Sequence, residues 1–369
     1  MQDAGELAAW LRLLLTPGVG RDRARALLAA FGLPEQVFGA SEPQLREVAG
    51  PTIAAALRTE PEELPPQLEA VQRWLALGEG RSIVTLGDPA YPPLLLQTAD
   101  PPLLLFAQGR TELLRATSIA IVGSRNTSPQ GCDNAREFAR HFSLNGLTVV
   151  SGMAAGIDGA AHEGALMGPG STIAVVGTGL DRVYPKQHLD LAHRIAEQGL
   201  IISEFPLGTH PLRENFPQRN RIIAGLSLGT LVVEAAVQSG SLITARLAAE
   251  MGREVFAIPG SIHSPQSRGC HALIKQGAKL VEHADDVLDE LRLPGGGAPA
   301  AAELPPTADE PAAEDPLLAA LGHDPATLDA LSARTGWSPA ELGARLLEME
   351  LDGRVVRLPG GLFQRHGAG

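Results

Sequence analysis

The sequence is poor in several residue types, and each shortage narrows the roles that it can have. Its two cysteines, Cys132 and Cys270, are too few for a disulfide framework or for a four-cysteine zinc site. Aromatic residues make up only 4% of the chain, so base stacking can supply little affinity for nucleic acid. No apolar run approaches the roughly 20 residues of a membrane-spanning helix, and the N-terminus lacks a signal-peptide pattern. We therefore expect a protein of the reducing cytoplasm with no membrane partner.

An excess of positive charge is also missing, because the formal net charge is −12 at pH 7. The central residues 81–292 are nearly neutral, with 18 basic and 20 acidic side chains. Residues 293–315, in contrast, carry five acids and no base. Bulk attraction to duplex DNA is not expected from such a balance. A local basic cleft within the central region is still compatible with the composition.

Composition divides the chain into four segments. Residues 293–315 consist almost entirely of Gly, Pro, Ala and acids, which predicts a disordered acidic linker. A softer boundary falls near residue 80, after an amphipathic run that ends in Gly-Glu-Gly. We therefore predict a small helical domain at 1–80, a second domain at 81–292 and a third at 316–369.

From residue 81 to residue 292, short apolar runs alternate with longer helical stretches. This pattern predicts a Rossmann-like, doubly wound α/β domain whose mostly parallel sheet is covered on both faces. The predicted strands are Ser118–Val122, Leu147–Val150, Thr172–Val176, Leu200–Ser203, Thr230–Val233, Glu254–Ile258 and Lys279–Val281. Ligands of such sheets bind at the carboxyl ends of the strands. The residues that follow each strand are accordingly the candidates for a binding site.

Small residues follow the first two predicted strands. Gly123, Ser124 and Arg125 come after the first strand, where Gly permits close backbone approach and Arg offers a fork that suits phosphate oxygens. Ser151 and Gly152 follow the second strand. A helix that starts beside the first loop would add free N–H groups for an anion. The alternative is a loop that merely caps the following helix.

The later loops carry most of the cations. Lys186, one of only three lysines in the chain, follows the third strand directly after a proline. Arg213 lies a few residues before Arg219, Asn220 and Arg221, which we expect to open a helix. Two guanidinium groups and an amide at a helix start favour anion binding. Together the loops predict one surface for a polyanion or a nucleotide.

Ser239 and Gly240 extend this surface at the start of another predicted helix, but catalytic signatures are missing. The chain has no GxGxxG, no GxxxxGK[ST] and no GxSxG, and its histidines and cysteines lack metal-ligand spacing. We expect His162 to be packed locally rather than to act as a general base. The sequence therefore predicts no catalysis, no metal and no cofactor.

One enzymatic alternative rests on residues 224–234. Rossmann-like nucleotide hydrolases similar to the cytokinin-activating phosphoribohydrolases carry a PGGxGTxxE stretch, in which the Glu acts at a ribose. Gly229, Thr230 and Glu234 stand roughly in the corresponding places, but the glycine pair is absent. We interpret the stretch as shared ancestry of the sheet without the activity, and nucleotide hydrolysis stays as the alternative function.

Several long motifs follow the order and spacing of one bacterial family. Within residues 85–290 they are IVGSR, SGMAAGIDGAAH, GTGLDRVYP, FPQRNRIIAGLS, VVEAAVQSGSLITARLA and GREVFAIPGS. The sequence thus resembles the DNA-processing protein A (DprA or Smf) family. The resemblance implies a homodimer that binds incoming single-stranded DNA without sequence preference, protects it and loads a RecA-type recombinase on it during natural transformation. It also implies that Arg125, Lys186 and Arg213 contact phosphates, while the turns at Gly123 and Gly152 present backbone N–H groups.

The two flanking segments have the patterns of small helical modules. A Pro-Gly-Val-Gly turn at 17–20 resembles a helix-hairpin-helix, and the family usually has a SAM-like helical domain here. A module for packing or for a protein partner is an equal alternative. At 326–365, two helices and a β-hairpin predict a winged helix. Its second helix is mostly acidic, so we favour a protein contact over the reading of a DNA major groove by a transcription regulator.

Overall fold

The computed structural model describes residues 4–78, 80–293, 315–321 and 325–365. Apart from its two end residues, the predicted acidic linker lies outside the described residues. The N-terminal segment is helical, with α1 (Ala4–Leu15), α2 (Arg21–Phe31), α3 (Pro34–Gly39), α4 (Glu42–Ala49), α5 (Pro51–Arg58) and α6 (Leu64–Ala76). Within the described ranges, no helix combines the length and the apolar character that crossing a membrane requires.

The central segment forms a nine-stranded sheet. Its strands are β1 (Arg81–Thr85), β2 (Leu104–Gly109), β3 (Ser118–Val122), β4 (Thr148–Ser151), β5 (Thr172–Val175), β6 (Leu200–Ser203), β7 (Gly229–Val232), β8 (Glu254–Ala257) and β9 (Lys279–Leu280). The strand order is β1-β2-β6-β5-β4-β3-β7-β8-β9. Strands β3 to β9 are parallel, whereas β1 and β2 extend one edge in antiparallel pairing. The chain therefore winds outward from β3 in both directions, with the strand order reversing between β3 and β7.

Helices cover both faces of this sheet. They are α7 (Pro93–Leu96), α8 (Pro129–Leu144), α9 (Ile157–Ala165), α10 (Leu189–Gln198), α11 (Asn215–Leu226), α12 (Ser241–Glu250), α13 (Arg268–Lys275) and α14 (Ala284–Glu290). One core lies against α8, α9 and α14, and another lies against α11 and α12. Every residue of β3, β4, β5, β6 and β7 is buried, as expected for strands with helices on both sides. The predicted doubly wound α/β fold is confirmed.

The structure corrects two local predictions in this domain. The sequence pattern missed β1 and β2, which pair antiparallel at the edge of the sheet. Arg219, Asn220 and Arg221 were predicted at the start of a helix, but α11 begins earlier, at Asn215. Pro217 does not stop this helix, because it lies in the first turn, where a missing backbone N–H is tolerated.

The N-terminal helices do not form a core of their own. Their buried side chains, including Leu11 and Trp74, share one cluster with Ile83 of β1 and Phe106 of β2. The rings of Trp74 and Phe106 pack edge to face, with 6.2 Å between their centroids. Because the outer strands β1 and β2 need this cover, the boundary predicted near residue 80 crosses a continuous core.

A cluster of charges joins α2 to the sheet domain. The Asp100 carboxylate accepts hydrogen bonds from Arg21 Nε at 2.9 Å and from Arg221 Nε at 2.8 Å, and it also pairs with Arg25. Arg221 in addition donates to the buried Glu204 carboxylate. Burial raises the pKa of Asp100, but the guanidinium groups, that of Arg221 foremost, outweigh it and hold the pKa below its ordinary value. Asp100 is therefore the carboxylate on which three arginines converge.

The C-terminal segment has the elements of a winged helix. They are α15 (Pro316–Leu321), β10 (Ala326–Thr327), α16 (Leu328–Thr335), α17 (Pro339–Leu351), β11 (Val355–Leu358) and β12 (Leu362–Arg365), and the three strands form a sheet in the order β10-β12-β11. A small core of its own includes Leu331, Leu342 and Leu346. The predicted helices and wing are confirmed, except that residues 326–327 pair with β12 instead of starting the first helix.

We expect Asp100→Asn to lower the free energy of unfolding by about 2 kcal/mol at pH 7, because it weakens three charge-assisted hydrogen bonds at a partly exposed site. Since folding lowers the pKa of Asp100 from about 3.9, its stabilising effect is present above about pH 4 and is lost as the pH falls through the lowered value. Urea unfolding at several pH values measures the difference between wild type and variant. Glu69→Gln, which removes an exposed carboxylate of a surface pair, is the matched control. A difference that does not shrink at low pH would contradict this role of Asp100.

Candidate functional site

A cleft of about 870 Å³ lies at the carboxyl edge of the parallel sheet, where the strand order reverses between β3 and β7. This is the position at which doubly wound sheets bind their ligands. The loop after β3 and the loop after β7 form opposite walls, and the N-terminal half of α11 contributes to the lining. The cleft is lined by Val122, Gly123, Ser124, Arg125, Asn126, Ala154, Asp158, Tyr184, Pro211, Arg213, Phe216, Pro217, Arg219, Asn220, Ile223, Ala236, Gln238, Ser239, Gly240, Ser241, Ile243, Thr244 and Gln266.

Two exposed arginines provide the free positive charge of the cleft. Arg125 and Arg213 both line it, and neither forms an ion pair with any residue of the described ranges. The Arg125 guanidinium lies over the ring of Phe216, with its carbon 5.2 Å from the ring centroid. Phe216 in turn contacts Tyr184, with 5.5 Å between the ring centroids. The cleft therefore presents two solvated cations beside a pair of aromatic rings.

Arg219 lies in the floor of the cleft as a nearly buried side chain. Only 4% of the residue is exposed, and its Nη1 atom donates to the carbonyls of Gly152 and Val175. Its Nη2 atom is 3.9 Å from the buried Asp158 carboxylate. Burial lowers the pKa of Arg219 to about 10, so the side chain stays charged at neutral pH, and burial also raises the pKa of Asp158. Arg219 is thus a buried structural contact: its ion pair joins α11 to α9, and its hydrogen bonds join α11 to the ends of β4 and β5.

Gly152 is explained by the same contact. A side chain at this position would overlap the Arg219 guanidinium group. The neighbouring Ser151 is fully buried, and its hydroxyl donates to the carbonyl of Ile121 at 2.6 Å. Neither residue lines the cleft, so the prediction that both face a ligand is corrected: Ser151 still belongs to β4, and Gly152 packs under the arginine.

Arg221 and Lys186 also lie outside the cleft lining. Arg221 points away from the cleft into the charge cluster with Asp100 and Glu204, where only 8% of its side chain is exposed. The expectation that Arg221 faces an anion is therefore corrected. Lys186, in contrast, is exposed in a short 3₁₀ turn at 186–188, two residues after the cleft residue Tyr184. It has no ion pair within the part of the chain that the structure describes, and it is near enough in sequence to extend the basic surface.

The wall after β7 brings Ser239 and Gly240 into the cleft as predicted. Gly240 is the residue before α12, so the first turn of this ten-residue helix faces the cleft. The Ser239 and Ser241 hydroxyls are 2.7 Å apart, and Asn220 donates to the Gly240 carbonyl at 3.4 Å. Uncharged polar groups therefore line this wall, opposite the aromatic rings.

The start of α8 is not free for an anion, contrary to expectation. Glu234, at the end of β7, accepts hydrogen bonds from the Thr127 hydroxyl at 2.7 Å and from the Ser128 backbone N–H at 2.9 Å. Its other carboxylate oxygen accepts from the Ser128 hydroxyl. Gly123 and Ser124 line the cleft, but the helix that follows them is already capped by the Ser128 hydroxyl, which accepts from the Gly131 N–H at 3.0 Å and is itself held by Glu234. Glu234 is the residue that would act at a ribose in a phosphoribohydrolase, and here it is held outside the cleft lining.

His162 is a buried neutral residue, as predicted. Its Nδ1 atom is 2.7 Å from the Thr172 hydroxyl, and its Nε2 atom accepts from the Met153 backbone N–H at 3.2 Å. Because Thr172 Oγ1 donates to the Val149 carbonyl, it accepts from His162 Nδ1–H. Burial lowers the pKa of His162 to about 3, so the ring is neutral at physiological pH and both nitrogens are occupied.

Several cleft residues come from different elements and meet only in the fold, so the local sequence pattern did not place them in the site. Tyr184 and Phe216 are separated by 32 positions, in the GTGLDRVYP and FPQRNRIIAGLS motifs, and neither was singled out as a site residue. Gln238, Thr244 and Gln266 likewise complete the polar wall. Their positions after β7 and β8 were a usable signal, since ligand contacts concentrate there. No group of three or more histidine, cysteine, aspartate or glutamate residues suited to a metal ion occurs in the described ranges.

The fold and the cleft define a Rossmann-like, anion-receptive domain followed by a winged helix. Residues 82–292 match the model of the DNA recombination-mediator protein A family, and residues 299–361 match that of the DprA winged helix domain. The chain belongs to the DNA recombination-mediator protein A (DprA) family.

Individual relatives agree with this assignment. The chain is 46% identical over 276 residues to protein Smf of Escherichia coli, covering 73% of this chain and 74% of that protein. The X-ray structure of DprA from Streptococcus pneumoniae superposes with a TM-score of 0.66 at 37% identity, covering 78% of this chain and 98% of that chain. A second solved structure, that of DprA from Helicobacter pylori, was described for the single-stranded DNA binding mode of that protein. It superposes with a TM-score of 0.52 at 31% identity, covering 57% of this chain and 96% of that chain.

We expect Arg219→Ala to lower the free energy of unfolding by about 3–5 kcal/mol, because it leaves the buried Asp158 carboxylate unpaired and removes the donor of two carbonyls. Arg213→Ala, at an exposed cleft position, is expected to change this free energy by no more than about 0.5 kcal/mol. Chemical denaturation of the two variants beside wild type measures both values. Equal stability of the two variants would show that Arg219 is not the structural contact described here.

Proposed function

We propose that the chain binds single-stranded DNA in this cleft without sequence preference and performs no catalysis there. The observation that carries the proposal is the placement of Arg125 and Arg213 at the switch point of the sheet, as two exposed guanidinium groups without an ion pair among the described residues. Guanidinium groups suit phosphate oxygens, and contacts to phosphates carry no base information. The DNA binding of the Helicobacter pylori relative supports the same assignment.

The charge distribution of the whole chain favours a single strand over a duplex. Arg125 and Arg213 place two exposed cations inside a cleft, and the formal net charge of −12 opposes broad contact with a duplex. In the winged helix, α17 carries Glu341, Glu348 and Glu350 on its exposed surface. Such a helix is poorly suited to the phosphate-lined major groove, so we assign the winged helix to a protein contact.

The position of Glu234 supports a role without nucleotide hydrolysis. Both carboxylate oxygens accept hydrogen bonds at the start of α8, and His162 is buried and neutral. A general acid or base needs a group within reach of the substrate that can exchange a proton. Neither residue meets this requirement, so the alternative phosphoribohydrolase activity has no support from the cleft.

We further propose the partners that the family resemblance implies. In this view a cytoplasmic homodimer protects incoming single-stranded DNA and loads a RecA-type recombinase on it during natural transformation. The proposal is tested by the rate at which a RecA-type recombinase displaces a single-strand-binding protein from an oligonucleotide, with and without this protein. An unchanged rate would contradict the loading role while leaving DNA binding itself intact.

We expect Arg125→Ala combined with Lys186→Ala to abolish measurable binding of labelled oligo-dT, with the fold retained. Each lost phosphate contact also lowers the slope of log affinity against log salt by about 0.7 on a single strand. Fluorescence anisotropy at two salt concentrations measures the affinity, and circular dichroism checks the fold. Arg115→Ala combined with Lys275→Ala, at exposed positions outside the cleft lining and without an ion pair in the described ranges, is the matched control.

The same titration distinguishes the competing functions. Tight, salt-weakened binding of the single strand, with a matched duplex bound much more weakly, agrees with the proposal. Unchanged affinity of the cleft double variant would refute the assigned contacts. Failure of the wild-type protein to bind the single strand, together with release of free base from a nucleoside monophosphate, would favour the hydrolase.

A further inference from the structure

Two loops border the cleft and supply its residues Tyr184 and Arg213. The first loop, residues 176–188, follows β5 and contains Tyr184 and Lys186. The second, residues 204–214, follows β6 and contains Arg213 near its end. Neither loop contains a long regular element, so the positions of these three side chains depend on how the loops are held together.

A carboxylate crosses from the first loop to the second. The backbone N–H of Gly208 donates to Asp181 Oδ1 at 2.8 Å, and the N–H of Gly179 donates to the Thr209 carbonyl at 3.1 Å. A side chain at Gly179 would overlap the Asp181 carboxylate and the backbone of the second loop. The two loops are therefore in close backbone contact, and the Asp181 side chain fixes their register.

The second oxygen of this carboxylate faces an arginine. Asp181 Oδ2 lies 3.5 Å from Arg182 Nε, and Arg182 Nη1 lies 3.5 Å from His210 Nδ1 in the second loop. These side chains are about one-third exposed or more, so the ion pair itself contributes little. The hydrogen bond from Gly208 is thus the stronger of the two links that Asp181 makes.

The apolar residues of the same loops anchor this pair from below. Leu207 belongs to the buried core beneath the N-terminal helices, and Leu180 packs against that core from the first loop. Gly208, which follows Leu207, donates the hydrogen bond between the loops to Asp181, which follows Leu180. One end of the loop pair is thus attached to the body of the protein, and the other end carries Tyr184 and Arg213.

A negative charge beside a surface for a polyanion should weaken binding by repulsion. Asp181 lies three residues before the cleft residue Tyr184, close enough for such repulsion, but its hydrogen bond from Gly208 would favour binding by holding the two loops together. We infer that Asp181 is a positioning residue for single-stranded DNA: by accepting the Gly208 N–H it holds the two loops so that Lys186 and Arg213 face the same strand. This inference rests on the proposed function.

The two effects predict opposite results for Asp181→Ala, which makes the inference testable. If positioning dominates, oligo-dT binds about 3- to 10-fold more weakly, the change expected for loss of one hydrogen bond. Asp181→Asn keeps an oxygen that can accept from Gly208 and removes the charge, so it should bind at least as tightly as wild type. Glu214→Ala is the charge control, because Glu214 is exposed in the second loop and makes no hydrogen bond between the loops in the described ranges.

Fluorescence anisotropy of the full chain gives the three affinities, and hydrogen exchange of peptides containing Gly208 reports on the loop contact without DNA. We expect faster exchange at Gly208 in Asp181→Ala only, with thermal midpoints close to wild type. Tighter binding of Asp181→Ala, as for Glu214→Ala, would overturn the inference, and so would equal weakening in Asp181→Asn and Asp181→Ala. Absence of single-strand binding by the wild-type protein would instead refute the proposed function, and the inference with it.

Discussion

The buried guanidinium of Arg219 is the contact on which the cleft depends. It connects the middle of α11 to the carbonyls at the ends of two adjacent parallel strands, Gly152 after β4 and Val175 in β5. Strand ends of a parallel sheet expose carbonyls that no neighbouring strand satisfies, and a planar group with five donors can serve two of them at once. With α11 held in this way, Phe216 and Asn220 face the cleft, and the opposite wall is built from the loop after β7. The nearly buried Arg219 thus positions the residues of α11 that face the cleft.

The same helix shows how position along a helix separates structural from binding arginines. Arg219 and Arg221 are two residues apart, so they leave α11 in different directions. The first goes under the cleft to the strand ends, and the second goes to Asp100 and Glu204 at the contact with the N-terminal helices. Only Arg213, before the helix, remains in solvent. A dense run of basic residues in a sequence therefore does not imply a basic surface.

Much of the fold could be predicted from the sequence, because strands with helices on both faces must be apolar along their whole length. That constraint located β3 to β9 within a residue or two. It could not locate β1 and β2, whose outer position becomes buried only because the N-terminal helices cover it. In the site, Gly123, Arg125, Arg213 and Ser239 followed from their places after strands. The destinations of Arg219 and Arg221 and the pairing of Tyr184 with Phe216 depend on contacts between distant loops, which local pattern does not encode.

The shared core of the N-terminal helices and the outer strands determines where a stable fragment of the chain can begin. The family pattern begins at residue 82, yet Phe106 in β2 is fully buried, in the same core as Trp74 and Leu11. A fragment starting at residue 82 would expose an apolar face that the intact chain covers. We therefore expect the helical segment and the sheet to unfold together, and a fragment of the sheet alone to expose the apolar face of β1 and β2. The boundary of the family pattern at residue 82 therefore does not coincide with a boundary of the buried core.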